Sequence, residues 1–283
     1  MARRWLRFLR LFLIAYIPVV LVISALQLQM IFPGAATQGR AEACVRPSSD
    51  VEVVELSSST GERVVAMFGK ALNADGSPRA DAATCPSMIY FYGNGMCMAD
   101  CAGEFRQFRC LGVNVLIPDF LGYGMSAGRP GEQSVYATAE TAWQHLVSRS
   151  DIDKTKIIAA GWSLGSAAAV ELATKRPVKG LMIFSAFTSM KEMARRVAPF
   201  LPTSLMLKHH FANEIKLRHL KIPTLIVHGT RDSVVPFDMS KKLAAAAPHA
   251  QLYVVDGGEH NTLFEDGGDE LWATVFQFVS SVR

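Results

Sequence analysis

The chain has 283 residues, of which 50% are hydrophobic, 19% charged and 9% aromatic. This composition excludes a disordered or collagen-like polymer and provides enough apolar residues for one globular domain with a packed core. Lys and Arg number 29 against 25 Asp and Glu, and the first ten residues contain four arginines and no acid. The remainder is therefore neutral, which gives no support for a nucleic-acid-binding face.

An uncharged stretch from Leu11 to Gly39 follows the arginine cluster. Its first part, Leu11 to Met30, is mostly apolar and would form about 30 Å of helix, the hydrocarbon thickness of a bilayer. We therefore predict that residues 1–32 are a cytoplasmic tip followed by a single transmembrane anchor. The arginines place the amino terminus in the cytoplasm, so the rest of the chain faces the periplasm, a lumen or the cell exterior.

Two other interpretations of this stretch remain open. A cleaved signal peptide would end near Ala41–Ala43, an A-x-A pattern, and would leave a secreted protein. A buried core helix is the other. The apolar run is longer than a usual signal-peptide core and the cleavage pattern lies far beyond it, so the sequence favours a retained anchor.

The cysteine content agrees with an oxidising compartment, in which at most two disulfides form and one thiol is left. The sequence does not define the pairing. Cys97 and Cys101 lie four residues apart, but no histidine follows at the spacing of a zinc site. We therefore predict neither a metal nor a cofactor. The five cysteines are Cys44, Cys85, Cys97, Cys101 and Cys110.

Residues 33–50 are rich in Gly, Ala, Ser and Pro and are predicted to be a flexible linker of about 20–25 Å. Residues 51–283 then alternate between short apolar runs and helical stretches. The predicted strands are Val51–Leu56, Val64–Phe68, Ser87–Tyr92, Val113–Ile117, Lys156–Ala160, Leu181–Phe184, Thr224–Val227 and Leu252–Val255. The predicted helices are Asp100–Cys110, Ser134–Ser148, Leu164–Thr174, Met239–Ala246 and Asp269–Val282. Apolar strands without in/out alternation indicate an α/β fold with a mostly parallel sheet buried on both faces.

The pattern G-x-S-x-G occurs twice, around Ser163 and around Ser126. Ser163 follows a predicted strand and is followed at once by a run of helix-forming residues, whereas Ser126 lies in a loop throughout. A sharp strand-to-helix turn with flanking glycines exposes its central serine as a nucleophile. We therefore predict Ser163 as the nucleophile, with a helix-capping serine as the alternative.

A serine nucleophile needs a general base and a carboxylate that orients it. His260 follows the last predicted strand on a glycine-containing loop, and Asp232 follows the preceding strand at its carboxyl end, where sites of such sheets lie. Asp256 is the competing carboxylate. His228 lies inside a strand and is interpreted as a core or supporting residue.

The negative charge that develops on the substrate oxygen requires two backbone N–H donors. One is predicted at Leu164, the residue after the nucleophile. The other is predicted at Asn94, between Gly93 and Gly95, with Met96 as the alternative. A plain strand-to-helix turn is the competing interpretation of this loop.

These residues together resemble the α/β-hydrolase-domain serine hydrolases, in particular the membrane-anchored branch related to protein depalmitoylating thioesterases. The resemblance covers roughly residues 50 to 283 and implies a Ser-Asp-His serine hydrolase of the esterase or thioesterase type. Tyr92 departs from the family pattern, which usually has His there. The matching segments are Phe91–Gly95, Asp119–Gly128, Gly161–Gly165, Arg231–Pro236 and Gly258–His260.

Residues 190–221 form the only insertion large enough for a cap, and they combine basic with large apolar residues. Beside a membrane, such a cap favours an acyl ester or thioester substrate that is a lipid or is lipidated, although a solvated helix face explains the same pattern. The alternatives to the esterase are a serine aminopeptidase or amidase of the same fold and a non-catalytic binding module. The sequence does not define the oligomeric state.

Overall fold

A computed structural model of the chain describes residues 2–282. An eight-stranded sheet forms its centre, with strand order β1-β2-β4-β3-β5-β6-β7-β8. The strands are β1 (Glu52–Ser57), β2 (Arg63–Gly69), β3 (Ser87–Phe91), β4 (Asn114–Pro118), β5 (Ile157–Trp162), β6 (Gly180–Phe184), β7 (Thr224–Gly229) and β8 (Ala250–Val255).

Strands β3 to β8 are parallel, and β1 and β2 extend one edge of the sheet as antiparallel strands. Every residue of β3 to β7 is buried, as the uninterrupted apolar runs predict for a sheet covered on both faces. The predicted α/β-hydrolase fold with a mostly parallel sheet is confirmed. Each of the eight predicted strands overlaps an observed strand within two residues at either end.

Nine α-helices occur within residues 2–282. They are α1 (Ala2–Ile31), α2 (Ala102–Cys110), α3 (Glu132–Ser148), α4 (Leu164–Lys175), α5 (Met190–Val197), α6 (Thr203–Met206), α7 (Asn213–Leu217), α8 (Asp238–Ala246) and α9 (Leu263–Ser281). The predicted start of α9 at Asp269 differs because Gly268, at φ 47° and ψ −147°, joins an earlier turn to the main helix. The predicted cap segment 190–221 contains α5, α6 and α7.

Helix α1 is mostly exposed along its length. From Arg3 to Ile31 it is long and apolar enough to cross a membrane, a test that a signal sequence also passes. Its carboxyl end enters the domain, because Ile31 and Phe32 are buried in the hydrophobic core. The end of α1 is therefore part of the folded unit.

The segment 33–50, predicted to be a flexible linker, is instead held against the domain, and the structure corrects that expectation. The Gln38 side chain donates to the Ser126 carbonyl over 2.9 Å, and the Gly39 N–H donates to the Gly124 carbonyl over 2.9 Å. Gly34 packs so closely on Tyr123 that a Cβ at Gly34 would lie 2.0 Å from the ring. Small residues here serve close packing and do not mark a loose chain.

Cys44, Cys97, Cys101 and Cys110 have free thiols in the structure of residues 2–282. Cys85, Cys97 and Cys101 are buried, whereas Cys44 is exposed. Burial raises the pKa of the Cys97 thiol to about 11, and a hydrogen bond to Asp100 adds to the shift. Burial also raises the pKa of the Cys101 thiol, so both Cys97 and Cys101 are protonated near neutral pH and unreactive.

Candidate active site

The turn between β5 and α4 places Ser163 at the carboxyl edge of the sheet. Strand β5 ends at Trp162 and α4 begins at Leu164, so a single residue makes the connection. Ser163 adopts φ 52° and ψ −115°, a left-handed conformation that costs a non-glycine residue on the order of 1–3 kcal/mol. Such strain at one exposed corner of a sheet is a recurring feature of nucleophile positions.

Two glycines make this turn possible. A Cβ at Gly161 would lie 2.1 Å from the Gly165 carbonyl oxygen, and a Cβ at Gly165 would lie 2.0 Å from the Phe91 carbonyl oxygen. Both distances are far inside van der Waals contact, so no other residue fits without movement of the backbone. Helix α4 therefore packs directly against the end of β3.

Ser163, His260 and Asp232 form a continuous chain of hydrogen bonds. The Ser163 Oγ lies 3.0 Å from His260 Nε2, and His260 Nδ1 lies 2.7 Å from Asp232 Oδ2. All three side chains are buried. They come from the turn after β5, the loop after β7 and the loop after β8. The fold therefore brings together three residues that were predicted from separate parts of the sequence.

The Asp232 carboxylate accepts four hydrogen bonds. Its Oδ1 accepts from the backbone N–H groups of Val234 (2.9 Å) and Val235 (2.7 Å), and its Oδ2 accepts from His260 and from His228 Nε2, 3.1 Å away. Burial alone raises the pKa of Asp232, but the hydrogen bonds from the two histidines and the backbone outweigh it and lower the pKa well below its ordinary value. Asp232 is therefore ionised at neutral pH.

His228, in β7, is a second histidine in contact with Asp232 Oδ2. Its Nε2 faces two acceptors, the Val235 carbonyl oxygen at 2.8 Å and Asp232 Oδ2, so Nε2 carries the proton. Its Nδ1 then accepts a hydrogen bond from the Ser240 hydroxyl. The sequence identified His228 as a core or supporting residue, but no motif indicated that it shares a carboxylate with His260.

A cavity of about 320 Å³ opens at Ser163. Asn94, Leu164 and His260 line it, together with Met30 and Ile31 from the end of α1. Because Leu164 begins α4, its N–H is one of the first four that lack an acceptor within the helix. No pattern in the sequence indicated that α1 would form part of the cavity wall.

The loop that follows β3 is fixed by the Asn94 side chain. Its amide donates to the Ile31 carbonyl over 2.6 Å, and its Oδ1 accepts from the Tyr123 hydroxyl over 2.9 Å. Gly95 follows at φ 88° with open space where a Cβ would be. Met96, the alternative donor position, packs against the hydrophobic core. The predicted donor loop thus touches both the cavity and the end of α1.

Tyr92, which replaces the usual histidine of the resembled family, is fully buried beneath this loop. Its hydroxyl donates to Asp119 Oδ1 over 2.9 Å and accepts from the Phe120 N–H over 3.1 Å. The Asp119 carboxylate also accepts from the N–H groups of Met98 and Met125, each over 2.7 Å. Burial raises the pKa of Asp119 to about 6 despite these bonds. Tyr92 and Asp119 therefore join the loop after β3 to the loop after β4.

The competing residues lie elsewhere in the structure. Ser126 is buried, where its hydroxyl donates to the Asp119 carbonyl and accepts from the Val65 N–H. Asp256 is exposed and accepts from the Thr230 hydroxyl over 3.1 Å. Within residues 2–282, no group of three or more His, Cys, Asp or Glu side chains is arranged to hold a metal ion.

Comparison with known proteins assigns the chain to a family. Residues 93–215 match the sequence profile described as the alpha/beta hydrolase family, and residues 212–267 match the profile described as serine aminopeptidase, S33. The chain belongs to the α/β-hydrolase family.

Two relatives of this α/β-hydrolase illustrate the match. The uncharacterized protein Rv2307c of Mycobacterium tuberculosis is 35% identical over 185 residues, which are 65% of this chain and 66% of that protein. The match thus spans just under two thirds of this relative. The alpha/beta hydrolase domain-containing protein WAV2 of Arabidopsis thaliana is 29% identical over 248 residues, 81% of this chain and 78% of that protein.

Among solved structures, the esterase Pf2001 of Pyrococcus furiosus resembles the α/β-hydrolase with a TM-score of 0.67 and 15% identity. The superposition covers 84% of this chain and 97% of the esterase. At this identity the likeness establishes the shared fold.

Proposed function

We propose that this α/β-hydrolase is a serine hydrolase that cleaves carboxylic esters or thioesters through an acyl-enzyme on Ser163. The observation that supports the proposal is the hydrogen-bonded chain from Ser163 through His260 to Asp232 at the edge of an open cavity. A strained serine at a strand-to-helix turn, joined to a histidine that a carboxylate orients, is the arrangement of an activated nucleophile.

The proposed reaction has two acyl-transfer steps. Ser163 Oγ attacks the substrate carbonyl while His260 Nε2 accepts its proton, and the backbone N–H groups of Asn94 and Leu164 stabilise the oxyanion. His260 then returns the proton to the leaving alcohol or thiol. Water, deprotonated by the same imidazole, releases the acid and regenerates Ser163. Asp232 keeps the imidazole proton on Nδ1 throughout. The proposed steps require no metal or organic cofactor.

We further propose that the enzyme is anchored in a membrane by residues 1–32, with residues 51–283 as the catalytic domain and 190–221 as its cap. The apolar composition of α1 and the arginines before it support this arrangement, with the amino terminus in the cytoplasm and the catalytic domain outside it. Retention of α1 is supported by the burial of Ile31 and Phe32, since cleavage at Ala41–Ala43 would remove both from the core.

An aminopeptidase is the second candidate, because residues 212–267 match the serine aminopeptidase profile. A site for a free amino group requires a nearby carboxylate. Among the described residues that line the cavity there is no Asp or Glu. The lining instead supports a neutral, largely apolar acyl group.

The test is hydrolysis by the full-length protein in detergent, on butanoyl esters, butanoyl thioesters and aminoacyl amides. Ester or thioester turnover is expected, and Ser163→Ala is expected to lower it by about 10⁴–10⁶-fold, as for loss of a nucleophile in an interacting triad. Ser126→Ala is the matched control, since Ser126 lies in the second G-x-S-x-G pattern and is expected to retain turnover.

Three outcomes would contradict the proposal. Turnover confined to aminoacyl amides would support the aminopeptidase instead. Turnover that survives Ser163→Ala would mean that another residue is the nucleophile. No turnover together with no labelling of Ser163 by a fluorophosphonate would support a binding module.

A further inference from the structure

An apolar groove lies between α1 and the cap, next to the candidate active site. Its volume is about 130 Å³. The polar atoms of Gln27, which lies in its wall, are satisfied by backbone groups: the amide donates to the carbonyls of Ser24 and Met206, and Oε1 accepts from the Lys208 N–H. The surface that the groove offers to a ligand is therefore apolar. Its walls include Ile23, Met30 and Ile31 of α1 and Ala194, Ala198 and Leu207 of the cap.

This groove and the cavity at Ser163 share a wall. Met30 and Ile31 line both, and the Ile31 carbonyl accepts the hydrogen bond from Asn94 that fixes the proposed oxyanion loop. The groove and the cavity are therefore neighbours on the two sides of Met30 and Ile31, and a shift of these two side chains would join them.

The cap carries an apolar tip, residues 197–207, which contains no charged residue and is bounded by Arg196 and Lys208. Exposed large apolar side chains on a folded domain mark a surface that meets another apolar phase. Basic residues on either side of such a segment suit the anionic headgroups of a membrane. The exposed tip side chains are Val197 (74% exposed), Phe200 (65%) and Leu205 (89%).

The tip lies along α1. The Tyr16 hydroxyl donates to the Phe200 carbonyl over 2.7 Å, and the Lys208 N–H donates to Gln27 Oε1 over 3.1 Å. The helix rises about 16 Å between Tyr16 and Gln27 at roughly 1.5 Å per residue. Half of a hydrocarbon core of about 30 Å has the same thickness. A membrane whose outer boundary is level with Gln27 therefore encloses the tip within a single leaflet.

We infer that the tip and the end of α1 together form a port inside the outer leaflet, and that the groove receives the long acyl chain of a substrate resident in that membrane. This inference rests on the proposed function and names its substrate class. The acyl chain remains in an apolar phase while its ester or thioester carbonyl reaches Ser163. A glycerolipid and an S-acylated peptide both present such a chain.

The experiment uses the full chain reconstituted in vesicles, assayed on hexadecanoyl substrate in the bilayer and on a soluble butanoyl ester. Ala198→Trp and Ala194→Trp fill the groove. Since each buried methylene group changes an equilibrium about fourfold, excluding several of them is expected to lower hexadecanoyl kcat/KM on the order of 100-fold. Butanoyl turnover is expected to stay within about twofold, which also reports that the variants are folded.

Matched controls separate the groove from general damage. Ala245→Trp places the same side chain at an exposed position of α8, outside the groove. Leu205→Asp charges the tip and is expected to lower turnover of the vesicle substrates alone. Its control is Val254→Asp, which charges an exposed apolar residue of β8, away from the tip. Two vesicle substrates, dipalmitoyl phosphatidylglycerol and an S-palmitoyl peptide, identify the source of the acyl chain, and the groove variants are expected to impair whichever is cleaved.

The outcomes distinguish failure of the proposed function from failure of the port alone. Absence of Ser163-dependent butanoyl turnover in the unmodified protein would refute the proposed function, and the port with it. Butanoyl turnover combined with unchanged hexadecanoyl turnover in Ala198→Trp and Ala194→Trp would refute the port alone. An equal loss on both substrates in the two variants would also refute it, because the groove would then have no specific relation to chain length.

Discussion

Asp232→Asn tests the proposed triad through a change of one atom. The backbone N–H groups of Val234 and Val235 face Oδ1, so the asparagine oxygen must stay there and its NH₂ group takes the place of Oδ2. That NH₂ then faces His260 Nδ1 at the position where the carboxylate accepted over 2.7 Å. The imidazole must place its proton on Nε2 and loses the lone pair that accepts the Ser163 proton.

The expected loss of kcat is about 10⁴-fold, the effect of the wrong histidine tautomer in a serine protease triad. The same NH₂ also confronts the Nε2–H of His228, 3.1 Å from the replaced oxygen. Two donors facing each other in a buried site cost on the order of 1–3 kcal/mol of folding free energy. We therefore expect a lower urea midpoint together with the loss of turnover.

The assay is butanoyl ester hydrolysis at 25 °C, with the folded fraction checked by circular dichroism. Asp256→Asn is the matched control, because Asp256 is the other carboxylate near the His260 loop but is exposed and accepts a hydrogen bond from Thr230. A folded Asp232→Asn enzyme that retains kcat within tenfold would refute the tautomer argument. A larger loss of kcat in Asp256→Asn than in Asp232→Asn would mean that Asp256, and not Asp232, orients His260.

Three further predictions follow from buried groups. Ser126→Ala leaves the Val65 N–H without its acceptor, so we expect a loss of about 1–3 kcal/mol in urea unfolding with kcat nearly unchanged; an unaltered midpoint would contradict this. The pKa of Asp119 is raised to about 6, so its folded form holds a proton that the unfolded chain releases near 3.8; this group lowers stability as pH rises from about 4 to 6. Asp119→Asn is expected to flatten the decline of unfolding free energy between pH 4.5 and 7, and an unchanged slope would contradict the raised pKa of Asp119. Gly165→Ala places a Cβ 2.0 Å from the Phe91 carbonyl, so turnover is expected to fall by at least about 10²-fold, as for loss of an oxyanion donor, and near-normal kcat would show that the helix can shift without harm.

The sheet and the turn at Ser163 could be predicted from the sequence because their signals are local. A parallel strand buried on both faces is a short apolar run, and such a run precedes Ser163 as Lys156–Ala160. The glycines at positions 161 and 165 then mark the sharp turn. Asp232 and His260 follow strands whose carboxyl ends must meet at one edge, so topology alone brings them near the serine.

Other features depended on contacts that no local pattern encodes. The composition of residues 33–50 is the same for a loose tether and for a chain packed tightly through small residues, and only the fit of Gly34 on the Tyr123 ring distinguishes them. The second histidine on Asp232 depends on the direction of one side chain in β7. The position of Met30 and Ile31 in the cavity wall depends on how α1 meets the cap.

The direct passage from α1 into the domain determines where the proposed enzyme can work. Phe32 is buried and Gln38 and Gly39 are bonded to the loop that carries Ser126, so no slack separates the helix from the catalytic unit. A tethered enzyme samples a volume set by the length of its tether, whereas in the proposed membrane-anchored enzyme this arrangement would fix the height and tilt of Ser163 above the bilayer. Such an enzyme would discriminate substrates by the depth of their scissile bond in the membrane, before any side chain of the pocket touches them.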